Sequence, residues 1–280
     1  MSTQDIIRII ETLPSSVYWL TLSGGEPCLK EGFTEILHAL SDSKVELINI
    51  PTNGLNSNKL IIALEDVLPE TDKKFIVNVS VDALGRRNDE IRGVSGAFSS
   101  AVATIGSLKL LQKAYPRNLK VGVHTVLSDY NKDVFWRVKS LAVEMEADQW
   151  IFEPAEVRDE LNNSYLGKTF DYQKVLENFT VDELYFGNVL RKYYVQALLK
   201  KKFPPCYAGI VSCQIMPDGE VWACCMKNES FGNLKDWDFN FKEFWIDTKE
   251  ERKEHFRRRR CNCCLANVFY TNFAMYLLHL

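Results

Sequence analysis

The sequence predicts an α/β fold, a parallel sheet with helices outside it, followed by a small α+β module rich in cysteine. Three observations lead there. Strand-like apolar runs alternate with helix-spaced apolar residues through the first 155 positions, a proline pair at Pro204-Pro205 interrupts the chain, and seven of the eight cysteines follow residue 205.

Taken in order, Ile6, Ile7, Ile9, Ile10 and Leu13 form an apolar helical stretch that runs into a strand at 17–22. Phe33, Ile36, Leu37 and Leu40 stand at helical spacing before a strand at 45–50, and Leu60, Ile61 and Leu64 before a strand at 75–81. Residues 97–115 read as a helix before a strand at 119–127, and 134–145 as another before a strand at 149–153. Each helix returns the chain to the same edge of the sheet, so strict alternation gives parallel strands. It leaves open a doubly wound sheet or a full or partial barrel, and in each of these ligands sit at the C-terminal ends of strands. After about residue 154 the alternation stops. Helical stretches at 172–179 and 181–202 end at Phe203-Pro204-Pro205, because proline cannot continue a helix. Beyond it a hairpin is predicted, 211–216 and 220–224 about the turn Pro217-Asp218-Gly219, with two helical segments around the last cysteines. The expected domains are 1–155, a helical linker 156–204 and a module 205–280.

A hydrophobic share of 46% with 25% charged residues lets 280 residues bury a sizeable core, which sets disorder aside. Thirty-four basic against 37 acidic residues give a net charge of −3, so no overall attraction to nucleic acid or to an anionic membrane surface is expected. Asp5, Arg8 and Glu11 interrupt the first apolar stretch, so no secretory signal is expected, and no run reaches bilayer length. A cytoplasmic chain is expected, and there a cysteine cluster fits a metal site better than a disulfide framework. The arginines at 257–260 read as a solvated helix face.

The polar and glycine-rich signals fall just after the strands. Ser23-Gly24-Gly25-Glu26-Pro27 places paired glycines and a carboxylate after the first, which suits a ligand ammonium group or an ordinary loop into a helix. Thr52-Asn53-Gly54 after the second says only that the chain turns. The third ends Ser80-Val81-Asp82, with Arg92-Gly93 ten residues on, a cation for a ligand carboxylate or for a surface salt bridge.

In this order at successive strand ends, these four segments resemble the radical S-adenosylmethionine (SAM) superfamily, over roughly residues 1–155. The resemblance implies a partial (βα)6-type barrel lacking its first strand. It also implies that Gly24, Gly25 and Glu26 hold the amino group of SAM, that Ser80 and Asp82 approach its ribose or carboxylate, and that Arg92 pairs with the carboxylate. Thr52 and Asn53 complete the cofactor-binding set, and His124 is read as core or wall.

The cysteines carry a second resemblance. Cys206, twelve residues, Gly219, four residues, Cys224, and later Cys261 and Cys264 in a Cys-x-x-Cys arrangement are similar to the short Twitch form of the SPASM modules that follow many radical SAM cores. Phe231-Gly232-Asn233-Leu234 fits the same module. The resemblance implies one auxiliary [4Fe–4S] cluster on those four thiolates. A zinc site uses the same number of thiolates, and Cys213, Cys225 and Cys263 fall outside the pattern. Cys28 reads as a free buried thiol.

One departure is plain. A radical SAM core carries Cys-x3-Cys-x2-Cys, and before residue 206 this sequence has only Cys28. The core [4Fe–4S] cluster is therefore expected only in an intact parent, this chain being a truncated and by itself inactive form. That parent would use SAM and an electron donor to abstract hydrogen from a peptide or small-molecule substrate. The alternative expectation is an inactive binding homologue with a structural four-cysteine metal site.

Overall fold

The computed structural model of the protein describes residues 1–155, 171–177, 188–258 and 265–278. The chain divides into two compact units, Met1–Val126 with Tyr130–Phe152, and Leu127–Asp129 with Glu153–Leu280.

The first unit is built on β1 (Trp19–Thr21), β2 (Leu47–Thr52), β3 (Lys74–Ser80), β4 (Leu119–Leu127) and β5 (Gln149–Pro154), which lie side by side in chain order. The pairings β1–β2, β2–β3 and β3–β4 are all parallel. A doubly wound sheet would reverse its order at a switch point, and this one does not, so the strands form a barrel-type half circle. Between them run α1 (Thr3–Glu11), α2 (Phe33–Asp42), α3 (Ser57–Val67), α4 (Arg86–Arg92), α5 (Ala97–Ala114) and α6 (Phe135–Glu144).

Alternation along the strands sorts the residues onto two faces. Ile48, Ile50, Phe75, Val77, Val79, Val121 and Val123 are fully buried, as are Leu37, Leu40, Leu60, Leu64, Ile105 and Leu108 of α2, α3 and α5. Each such side chain contributes about 1.5–3 kcal/mol by leaving water. The opposite face carries Thr21, Asn49, Asn78, Ser80, Gly122, His124 and Gln149. The apolar face thus meets the helices, and the polar face is the concave one.

Local signals start the elements where the sequence places them. Ser2 caps α1 through its Oγ, which accepts from Asp5 N at 3.1 Å, while Ser2 N donates back to Asp5 Oδ2 at 2.6 Å. β2 runs on to Thr52 through Pro51. Residue 49 faces β1, since Asn49 O accepts from Leu22 N, and so by alternation does residue 51, beyond the end of β1's pairing. The missing N–H of Pro51 therefore costs no ladder bond.

The second unit holds α7 (Tyr172–Leu176), α8 (Asn188–Lys200), β6 (Gln214–Ile215), β7 (Glu220–Cys224), β8 (Lys227–Asn233), α9 (Phe241–Asp247), α10 (Lys249–Arg258) and α11 (Ala266–Leu278). The hairpin about Pro217-Asp218-Gly219 is present, with β6 antiparallel to β7, and β8 adds a third antiparallel strand. β6 is shorter than the predicted 211–216. Residues 207–212 turn back on themselves instead, through Gly209 N to Ser212 O at 2.8 Å and Ile210 N to Tyr207 O at 3.0 Å.

Buried Arg252 of α10 holds that turn, with Nη1 donating to Gly209 O at 3.0 Å and Nη2 to Trp245 O, and its guanidinium lies 3.5 Å from the centre of the Trp245 ring. Asn272 of α11 accepts from Tyr207 N at 2.8 Å through its Oδ1. Among the described residues no single helix is long and apolar enough to cross a membrane.

Candidate functional site at the strand ends

Two polar clamps form where the parallel strands end. The first closes over β1 and β2. Gly24, at φ +140°, takes a backbone conformation that side-chain-bearing residues rarely adopt, and no atom lies within 4 Å of where a Cβ would stand at Gly24 or Gly25. The chain then turns Glu26 toward the end of the neighbouring strand. Its Oε1 accepts from Thr52 Oγ1 at 2.7 Å and its Oε2 from Asn53 N at 2.8 Å. Thr52 Oγ1 in turn accepts from Gly54 N at 3.1 Å, and Asn53 Oδ1 accepts from Leu55 N at 2.8 Å, so the loop that holds Glu26 is itself fixed. Cys28 adds a third contact, its Sγ lying 3.4 Å from Glu26 Oε1. Burial, with the Glu26 carboxylate beside it, pushes the Cys28 thiol up to about 12.

The second clamp joins β3 to β4. Asp82 is 5% exposed and fully engaged: Oδ1 accepts from Val126 N at 2.8 Å, and Oδ2 pairs with Arg92 Nη2 at 2.8 Å. Its backbone N donates to Asn88 Oδ1 at 2.9 Å, and its carbonyl accepts from Asn131 Nδ2 at 2.7 Å. Asp82 thus anchors Arg92 and α4 to the strand end. Ser80, half-buried, lies one turn of the pleat below, in register with His124. Asn88 Nδ2 and Arg92 Nε are buried without a hydrogen-bond partner.

Of the eight cofactor-site positions predicted from the sequence, seven end or follow β1, β2 or β3, and Arg92, at the end of α4, is joined to them by Asp82. The structure brings Gly24, Gly25, Glu26, Thr52 and Asn53 into one clamp and Asp82 and Arg92 into the other. Among the described residues no hydrogen bond joins the two. Three partners had no sequence signal as such: Cys28 on Glu26, and Asn88 and Asn131 on Asp82. A further set also escaped the sequence. On the concave face Gln149 Nε2 donates to Asn78 Oδ1 at 2.8 Å, Asn78 Nδ2 to Asn49 Oδ1 at 2.7 Å, and Asn49 Nδ2 to Thr21 Oγ1 at 3.3 Å. Their partners lie 28, 29 and 71 residues apart in the chain, where periodicity gives no clue.

Of the four cysteines expected to hold metal, Cys206 is buried at the start of the braced turn and Cys224 ends β7, half-buried. Cys261 and Cys264 lie outside the described residues. Cys213, also in this unit, has its thiol pushed up to about 12 by burial, against the opposing pull of Arg252.

The half-barrel with polar clamps at its strand ends defines an α/β class whose chemistry sits at the C-terminal mouth of the sheet. Comparison with known proteins narrows the class. The chain is 28% identical over 154 residues to the GTP 3',8-cyclase of Clostridium perfringens, covering 53% of this chain and 43% of that protein. It is 29% identical over 134 residues to the sporulation killing factor maturation protein SkfB of Bacillus subtilis, covering 48% and 30%. This chain therefore spans less than half the length of either relative. In structure it is similar to Streptococcus suis SuiB bound to S-adenosylmethionine, with a TM-score of 0.64 at 16% identity over 93% of this chain and 61% of that one. The same protein bound to the precursor peptide SuiA gives 0.59. No protein-family model matches the chain. Together the sequence likenesses and the shared fold support the radical SAM superfamily as its family.

Proposed function

We propose that the chain is the SAM-holding part of a radical SAM enzyme that modifies a peptide or small-molecule substrate, and that its second unit carries one auxiliary [4Fe–4S] cluster. The observation that carries the reading is the Glu26 clamp, a carboxylate fixed by Thr52 and Asn53 directly after two glycines at which a Cβ would meet no atom within 4 Å.

The residues fit SAM in kind. The Glu26 carboxylate suits the ammonium of the methionine moiety, and Gly24 and Gly25 let that moiety approach the backbone. Arg92 suits the carboxylate, because Asp82 holds its Nη2 while 28% of its side chain stays exposed. Ser80, the last residue of β3, would offer its hydroxyl to the ribose. When bound and reduced, SAM supplies the hydrogen-abstracting chemistry, and these side chains orient it at the strand ends. That chemistry requires a core cluster, and these 280 residues contain no Cys-x3-Cys-x2-Cys to hold one.

Cys206, Cys224, Cys261 and Cys264 would hold the auxiliary cluster, the thiolate being the donor such clusters take. A peptide substrate is favoured over other small molecules because SuiB was solved with a precursor peptide and SkfB is a maturation protein.

Calorimetric titration with SAM tests the reading. Glu26→Ala and Arg92→Ala are each expected to weaken binding about tenfold or more, roughly 1.4 kcal/mol. Affinity unchanged in both variants removes the site assignment. Metal analysis tests the second unit: iron and acid-labile sulfide in equal amounts support the cluster, and zinc without sulfide replaces it with a structural site.

A further inference from the structure

The hydrogen bond from Gln149 to Asn78 joins strands that are not neighbours. β4 lies between β3 and β5 in the sheet, and Gly122 of β4 is the residue beneath the bond. A Cβ on Gly122 would stand 2.1 Å from Asn78 Oδ1 and 2.7 Å from Gln149 Cγ, so any other residue there occupies the space the bond needs. Gly122 is glycine for room.

Neighbouring strands lie about 4.8 Å apart, so the backbones of β3 and β5 are separated by about twice that. Two side chains that meet at 2.8 Å across such a gap pull the strands together on their own face and so favour a sheet bent toward it. The chain continues from Asn78 to Asn49 at 2.7 Å and, more weakly, to Thr21 at 3.3 Å, each amide donating to the next in one direction. Four side chains from β5 to β1 are thus tied along the concave face, inside a half-barrel whose curvature is not fixed by closure.

That curvature has a consequence at the mouth. The Glu26 clamp rides on β1 and β2 and the Asp82–Arg92 clamp on β3 and β4, with no hydrogen bond between them among the described residues. Their separation is set by how far the sheet bends beneath them. We propose that Gly122, with the ladder of Gln149, Asn78, Asn49 and Thr21 that it permits, is a positioning element that sets the distance between the two clamps and so the span of ligand they grip together. The second clause rests on the SAM reading above; the first does not.

Gln149→Leu removes the cross-strand bond while keeping the side chain's volume, and Gly122→Ala displaces it sterically. Crystal structures of the protein and of Gln149→Leu are expected to show Glu26 and Asp82 moved apart by about 1 Å or more, the scale at which misplacement disables a site. Calorimetry with SAM, at a temperature where the variant stays folded by circular dichroism, is expected to show about tenfold weaker binding, with Gln149→Asn falling between. An unchanged Glu26–Asp82 separation in Gln149→Leu overturns the proposal, whatever happens to SAM binding. A changed separation with unchanged affinity overturns the second clause, because the clamps would then not act together. Failure of the unaltered protein to bind SAM removes the functional reading alone and confines the proposal to its first clause, which the separation decides. If Gly122→Ala does not fold, Gln149→Leu carries the test.

Discussion

Glu26 and Asp82 are both carboxylates at strand ends, yet their surroundings give them different work. Glu26 is half-exposed and receives three neutral donors, so its charge remains available to a cationic ligand. Asp82 is buried and spends both oxygens on Val126 N and Arg92. Removing one member of a buried pair leaves the other charge uncompensated, at a cost of about 3 kcal/mol or more. Asp82→Ala is accordingly expected to lower urea stability by about that much, whereas Glu26→Ala loses about 1–2 kcal/mol of neutral hydrogen bonding. Equal losses in the two variants, read by circular dichroism, would contradict this division of roles. The Cys28 thiol, held up at about 12, stays protonated near neutrality. Since only the thiolate is nucleophilic, iodoacetamide at about pH 8 should leave Cys28 unmodified in the native chain and label it once urea unfolds it.

At the scale of elements, glycines in the two strand-end turns carry different constraints. Gly54, at φ +75°, also lies where a Cβ would meet Ala101 Cα of α5 at 3.0 Å, so the turn and the helix are packed backbone to backbone. Gly54→Ala is expected to cost about 2–3 kcal/mol from strain and overpacking together. Gly24→Ala carries the backbone term alone, since nothing lies within 4 Å, and should cost about 1–2 kcal/mol in thermal melts.

Helices and inner strands were legible in the sequence because their apolar spacing is local: α2, α5 and β4 lie where Phe33, Ala97 and Leu119 announce them. The edge strand β1 is shorter than 17–22 because only one neighbour pairs with it. Two elements had no such signal. β8 reads Lys-Asn-Glu-Ser-Phe-Gly-Asn and owes its extension to β7, and α4 is only seven residues, its Arg92 fixed by Asp82 rather than by an apolar stripe.

For the whole molecule, pH sums what burial does to individual groups. Cys28 and Cys213 rise from 9.0 to about 12, and Tyr270 of α11 rises from 10.0 to about 12, burial being the chief cause in each. The folded chain therefore keeps these protons where the unfolded chain has lost them. Their contribution is full below pH 9.0 and is lost as pH rises toward about 12. Melting temperature should fall across that range, and less steeply in the double variant Cys28→Ala, Cys213→Ala; an identical slope would show that the folded chain does not hold these two thiol protons more tightly than the unfolded one.

The sequence by itself determined the parallel α/β sheet and the placing of the ligand-type residues after successive strands. Both follow from local periodicity, and from the rule that parallel strands all end at one mouth. Only the tertiary structure decided that Glu26 is gripped by Thr52 and Asn53, that Asp82 is spent on Arg92 and Val126, and that Gly122 leaves room for Gln149 to reach Asn78. These depend on which strands become neighbours and how sharply the sheet bends. A linear pattern records the faces of each strand but not the distance between residues that folding brings from 26 to 71 positions apart.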